Sequence, residues 1–357
     1  MGASRSRPSR HTAIYFARML LPQTYGAALS LIVLTMFCWG SWANTFKLAG
    51  KWRFELFYYD YSLGVLIAAA IYALTFGNLG HDGLAFSDDL MHSGSRQIFF
   101  GALGGVVFNL ANMLLVAAIS VAGLAVAFPV GIGLALVIGV IWNYALKPQG
   151  NPVLLFTGAA IVVGAIILDA LAYRALEAGK AAQAARRVTG KGIVLSLVSG
   201  VLMGSFFPLV EIGKAGERGL GPYAIGFVFA VGVFLSTFVF NLFFMSMPVE
   251  GPPVAMSEYF KGTSRQHLLG IVGGLIWATG TIANFAAASA SESVQVGPAI
   301  SYAIGQGATM VSALWGLLVW NEFAGAGPRV RLLVVIMLIL FVCGLGLVSV
   351  APLYASR

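Results

Sequence analysis

An all-α integral membrane protein, with ten transmembrane helices arranged as two inverted five-helix repeats, is the fold this sequence predicts. Three observations predict it: a shortage of charge, a series of apolar stretches of spanning length, and an ordered self-similarity between the halves. Charged residues make up 10% and hydrophobic residues 59% of the 357 positions. A soluble domain carries about 25% charged residues and needs polar surface to cover its core, so a soluble fold is excluded. The 44 glycines fit the same reading, because small residues let helices approach closely in lipid.

A span needs about 20 mostly apolar residues. Such stretches fall at about 26–48, 58–77, 98–119, 122–146, 152–172, 193–213, 223–245, 268–289, 294–320 and 331–351. Residues 1–25 read as a polar tail, in which Arg5, Arg7 and Arg10 precede a weak apolar stretch broken by Arg18 and Pro22. The organisation is then a first repeat over 26–173, a basic central loop over 174–192 and a second repeat over 193–352. No connection is long enough for a separate soluble domain.

The halves match in order along the chain. A shift of 164 positions lays Gly40-Ser41-Trp42 on Gly204-Ser205-Phe206 and Tyr59 on Tyr223. A shift of 169 lays Arg96-Gln97 on Arg265-Gln266, Gly104-Gly105 on Gly273-Gly274 and Pro129 on Pro298. Farther on, Trp142-Asn143 matches Trp320-Asn321. An odd number of spans per repeat forces the second copy into the membrane upside down. That is the architecture of many secondary transporters, which hold their solute near the midplane between the halves.

The net charge of +8 lies in short flanks beside the spans, such as Lys47, Lys51, Arg53, Arg186, Arg187 and Lys191. Lipid headgroups explain these better than nucleic acid does. Cys38 and Cys343 each sit within an apolar stretch and read as small hydrophobes, neither a disulfide nor a metal pair. His81, His92 and His267 read as loop residues without a carboxylate partner, so neither an enzyme site nor a cofactor is expected.

Polar groups inside spans are costly and therefore informative. In the first span Trp39, Trp42 and Asn44 share part of one face; indole can stack on a flat or hydroxylated ring while an amide reads its edge. Asn109 and Asn112 are neighbours on the third span, and its repeat mate carries Trp277, Thr281 and Asn284. The ninth span offers Tyr302 and Gln306 near Pro298, which should kink it. These residues are the expected solute contacts, although any lone Asn or Thr can equally hold a neighbouring helix. Two carboxylates could carry a coupling proton. Glu211 stands at the repeat position of Lys47, with Lys214 as an alternative interfacial partner, and Asp60 opens the second span, where it could simply cap the helix.

The stretches AAISVAGLAVAFPVGIGLALVIGVIW and AAASASESVQVGPAISYAIGQGATMVSALWGLLVWNE resemble helix hairpins of the drug/metabolite transporter superfamily, with Glu322 at the closing Gly/Glu position. Within it, YYDYSLGVLIAAAIYALTFGNLG, the Gly40-Ser41-Trp42 step and GGVVFNLANMLL resemble the ureide permease branch and its bacterial relatives. The resemblance implies transport of a ureide or nucleobase in a bacterial inner membrane. Related branches take up glucose, ribose or rhamnose, and others export drugs or metabolites. One departure concerns the central loop: plant ureide permeases are described with a phosphate-binding glycine loop there, whereas RRVTGKGIV lacks G-x-x-x-x-G-K-[ST]. No nucleotide site follows, and a gradient must drive transport. The expected partners are a small-molecule solute, protons and membrane lipid, and the expected unit is a monomer. Basic residues lean toward an outside N-terminus, opposed by the four basic residues of the leading tail.

Overall fold

A computed structural model describes residues 19–180, 190–249, 251–291, 294 and 296–354. Among these, nine helical segments are long and apolar enough to cross a membrane. The first is α1 (Tyr25–Ser41) continued by α2 (Ala43–Ala49). It is followed by α3 (Phe54–Leu74), the short α4 (Phe86–His92), α5 (Ser95–Ala122), α6 (Leu124–Leu146) and α7 (Pro152–Lys180). After the central connection come α8 (Gly190–Lys214), α9 (Pro222–Ser246), a 3-10 turn (Met256–Lys261) and α10 (Ser264–Ala288). The chain ends in α11 (Pro298–Gly305), α12 (Ala308–Leu318) and α13 (Pro328–Val350).

The helix starts are written in the sequence. Gly-Pro opens α9, α11 and α13, putting proline where the missing N–H costs nothing. Thr263 and Gln266 close a reciprocal capping box on α10. Gly123, at φ +81°, makes the tight turn from α5 to α6.

The expected ninth span, 294–320, is two short helices rather than one. Pro298 does not kink it but begins α11. The break falls instead at Gln306 and Gly307, where i→i+3 bonds (Gly307 N–H to Ile304 O, Thr309 N–H to Gln306 O) replace the α-ladder. The basic central loop is also shorter than expected, because α7 runs to Lys180 and α8 begins at Gly190; Arg186 and Arg187 lie outside the described residues, as does the tail before Met19.

Because the spans alternate, the bundle has a proximal face, where α1 begins, and a distal face, where α2 ends. Two seams join the halves by backbone contact. On α3 and α10, a Cβ added at Gly64 would strike the Ile271 carbonyl, and one at Gly274 the Tyr61 carbonyl. On α5 and α9, a Cβ at Gly105 would strike the Phe229 carbonyl, and one at Gly232 the Ala102 carbonyl. Gly64→Ala and Gly274→Ala should each destabilise the protein by about 1–3 kcal/mol through overpacking. Gly26→Ala, with nothing within 4 Å of the added methyl, should be neutral, as read by thermal unfolding in detergent.

On the proximal face, Asp89 of α4 accepts a hydrogen bond from the Gly221 N–H at 2.8 Å and ties two connections together. Burial pushes its carboxyl up to about 6, opposed by the Gly221 bond and by His92. Between an ordinary value of about 4 and the shifted one, the folded protein holds a proton that the unfolded chain releases. Stability should therefore fall as pH rises from about 4 to about 6. Asp89→Asn should flatten that slope in melting-temperature measurements.

Candidate functional site

A cavity of about 390 Å³ lies inside the bundle between the halves. Its floor is aromatic: Trp39 of α1, Phe108 of α5, Phe206 of α8 and Trp277 of α10. Toward the distal face it is bounded by Phe46, Phe54, Ile119 and Phe128, all near distal helix ends, so the cavity extends toward that side. Below the floor, Phe207, Phe229, Phe285 and Tyr302 are fully buried and packed edge to face or tilted against one another, which closes the proximal side.

The rings are held in register. Trp39 and Trp277 lie nearly parallel, 13° between planes and 6.2 Å between centroids. Trp277 stacks on Phe108 at 4.3 Å. The Trp39 indole N–H donates to Thr281 Oγ1 at 3.0 Å, which fixes its plane. Polar groups on the wall are few: Asn112, Gln306, Thr309 and Ser312. No charged side chain lines the cavity. Asn112 donates to the Tyr58 hydroxyl at 3.1 Å, and its own carbonyl oxygen accepts from no protein group among the described residues. Gln306, only 7% exposed, uses its backbone in the α11–α12 break, and its side-chain amide donates to no protein group among the described residues. Both amides therefore have hydrogen-bonding capacity left for a solute.

Five of the residues expected at the site, Trp39, Trp42, Asn112, Trp277 and Gln306, line this cavity. The others are placed elsewhere. Asn109 is fully buried and donates to Val233 O, Ser236 and Thr237, holding α5 to α9. Thr281 stands behind Trp39 as its acceptor. Asn284 is bonded to Ser301, joining α10 to α11. The Tyr302 hydroxyl donates to the Ala135 and Met203 carbonyls. Asn44 donates to Ser41 O and accepts from the Trp320 indole at 2.6 Å. Sequence reasoning missed the Phe46, Phe54, Phe108 and Phe206 walls, since a phenylalanine in an apolar span carries no signal of which face it occupies.

The carboxylates separate clearly. Glu211 pairs with Lys214 at 2.6 Å, one helical turn away, and faces a charged vestibule of about 750 Å³ on the proximal face with Arg96 and Lys147. Lys47 pairs with Glu322 at 2.6 Å and lies over the Trp320 ring, while the Tyr173 hydroxyl donates to the same carboxylate. Asp60 differs from expectation. Because α3 begins at Phe54, Asp60 sits inside the helix rather than at its start, and it caps nothing. It accepts from the Tyr259 hydroxyl at 2.6 Å and from His267 Nδ1 at 2.7 Å. His267, expected in a loop without a carboxylate partner, is instead in the first turn of α10. Burial, and then the Asp60 bond, raise the Tyr259 phenol above the ordinary tyrosine range, so it remains a donor.

The ureide permease family model matches residues 57–191. The chain is similar to Ureide permease 1 of Arabidopsis thaliana, 25% identical, with 95% of this chain and 99% of that protein covered. It is equally similar to Ureide permease 2 of the same plant, at 25% identity over the same shares. Probable ureide permease A3 of Vigna unguiculata is 22% identical over 85% of this chain and 97% of its own length. A crystal structure 16% identical in sequence superposes with a TM-score of 0.59, covering 94% of this chain and all of the other; it shows a shared fold alone. These curated relatives are plant proteins, so they support membrane insertion and give no support to a bacterial inner membrane.

Glue and site can be told apart by stability. Asn109→Ala should cost about 1–3 kcal/mol, because it strips bonds from a buried interface. Gln306→Ala should cost under about 0.5 kcal/mol, since its amide holds no protein partner. Chemical or thermal unfolding of both variants tests the assignment.

Proposed function

We propose that this chain, a relative of the ureide permeases, carries a small neutral polar solute, a ureide or a nucleobase, by alternating access driven by a proton gradient. Ureide permeases are transporters and not enzymes, and this chain is an integral membrane transporter of that kind. One observation carries the solute class: the cavity combines nearly parallel indoles with two amides whose hydrogen-bonding capacity is unspent, and has no charged wall residue. A flat, uncharged ring with amide edges satisfies both features. Stacking uses its faces, and Asn112 and Gln306 use its edges. An anion or cation would enter a desolvated site without a counter-charge, which is costly.

Alternating access is supported by the packing. The α3–α10 seam and the α5–α9 seam are reciprocal: each sets the second helix of one half on the third spanning segment of the other. Two inverted five-helix repeats produce that exchange. The cavity extends toward the distal face and is closed proximally, and exchange of roles between the halves would turn it toward the proximal face. For the driving force, the central segment Gly190-Lys191-Gly192 lacks the hydroxyl residue and spacing of a phosphate-binding loop, which favours a gradient over ATP.

Uptake into proteoliposomes tests the whole reading. Radiolabelled allantoin or uracil should enter without ATP under an imposed pH gradient, and a protonophore should abolish accumulation. Glucose, the second reading because a sugar ring also stacks on indole, should not compete. Asn112→Ala and Gln306→Ala should each weaken solute binding about tenfold, the loss of one buried hydrogen bond of about 1–3 kcal/mol. Competition by glucose alone would move the assignment to sugars. Uptake requiring ATP, or efflux of lipophilic cations in its place, would defeat it.

A further inference from the structure

Among the described residues, a polar cluster of Asp60, Tyr259 and His267 links the halves at the distal face, apart from the Lys47–Glu322–Tyr173 group, and takes no part in lining the cavity. Asp60 of α3 has a side chain only 4% exposed, and both its oxygens are engaged, one by Tyr259 and the other by His267. An ionised carboxylate only accepts, so His267 carries a proton on Nδ1. The second ring nitrogen, Nε2, points at Gly262, where an added Cβ would come within 2.7 Å of it. His267 keeps 26% of its side chain exposed, so protons reach it from the distal side. Trp52 covers the cluster, edge-on to His267 at 4.9 Å and stacked on Tyr259 at 6.3 Å.

We infer that the Asp60–His267 pair is the proton-binding site of this transporter, with Tyr259 as the latch that ties the distal loop to it. The inference rests on the gradient-driven reading above and names the group that carries it out. A proton added at His267 Nε2 turns a neutral hydrogen bond into an imidazolium–carboxylate pair, and the net charge of the cluster goes from −1 to zero; its release reverses both. A net charge buried at this depth is expensive, whereas a neutralised pair is far less so. Only the protonated cluster can therefore be sealed from water as the distal side closes.

The path to the solute is short and packed. Asp60 adjoins Tyr61, whose ring lies against Trp42 at 4.8 Å and Trp277 at 6.4 Å. His267 is on the same helix as Trp277, and Gly270 lets α10 ride directly over Asp60. A change in the α3–α10 spacing at the cluster therefore moves the indole wall. Other charges do not compete for the pair. Glu258 and Lys261 of the 3-10 turn bond each other, and Arg53 is held by Glu55 and the Pro252 carbonyl. Lys51 and Arg265 are exposed to solvent, and α9, packed on α3, carries no ionisable group besides Tyr223 at its far end. Glu211, already paired with Lys214 on the opposite face, has no comparable link to the cavity.

Two measurements decide the matter. Across a pH difference of about one unit, one coupled proton supports about tenfold accumulation of labelled allantoin or uracil. Asp60→Asn and His267→Gln should lose that accumulation yet keep exchange of labelled for unlabelled solute. Tyr259→Phe, lacking one hydroxyl, should accumulate less than wild type. The second measurement needs no solute. Imidazolium quenches a neighbouring indole, so the fluorescence difference between wild type and Trp52→Phe should show a pH-dependent step, and His267→Gln should lack it. If Asp60→Asn does not fold, His267→Gln carries the decision. Normal accumulation in His267→Gln, or a Trp52 step that persists in it, overturns the assignment. Failure of wild type to move allantoin or uracil overturns the solute reading alone, and the fluorescence step still decides the proton site.

Discussion

Helix backbones touching at glycine are the contact on which the rest of this protein depends. In lipid there is no hydrophobic force to draw helices together, so association relies on close van der Waals packing and a few interhelical hydrogen bonds. Gly64 and Gly274 bring α3 and α10 to backbone contact, and Gly105 and Gly232 do the same for α5 and α9. These seams place Trp277 beside Phe108 and bring His267 within reach of Asp60. A methyl group at Gly64 or Gly274 would force α3 from α10, the two helices that carry Asp60 and His267.

Polar residues in the spans fall into two physical groups. Those whose side-chain amide N–H groups are spent on another helix, such as Asn109 and Asn284, are fully buried and bind the bundle together. Asn112 and Gln306 have capacity to spare and border empty volume. Asn109 and Asn112 are the same residue type less than one turn apart on α5, yet fall in different groups. Only the direction of the side chain differs, and that direction is set by which neighbour each helix meets.

This explains how far the sequence could be read. The spans were legible because lipid demands about 20 apolar residues, and the Gly104-Gly105 and Gly273-Gly274 pairs because close approach admits no other side chain. Trp39 and Trp277 were legible as ring surfaces, since indoles deep in a span are rare away from the interface. The Asp60–His267 bond was not, because its members are 207 positions apart and α10 begins at Ser264, four residues before the 268 at which hydropathy alone places it, in a polar run. The interruption at Gln306 was equally hidden: Pro298 is the louder breaker in sequence, yet at the first position of a helix it breaks nothing.

That interruption sets two helix ends against each other inside the membrane. Helix α11 ends at Gly305 and α12 begins at Ala308, so carbonyls lacking their usual partners and amides lacking theirs meet within a few residues. The first end carries partial negative charge and the second partial positive charge. Side by side they make a compact electric doublet with no net charge, bordering the cavity at Gln306, Ala308 and Thr309. Such a field exerts torque rather than attraction. It turns a dipolar molecule to one orientation and gives no advantage to an ion of either sign, so the broken span acts as an orienting device built entirely from main chain.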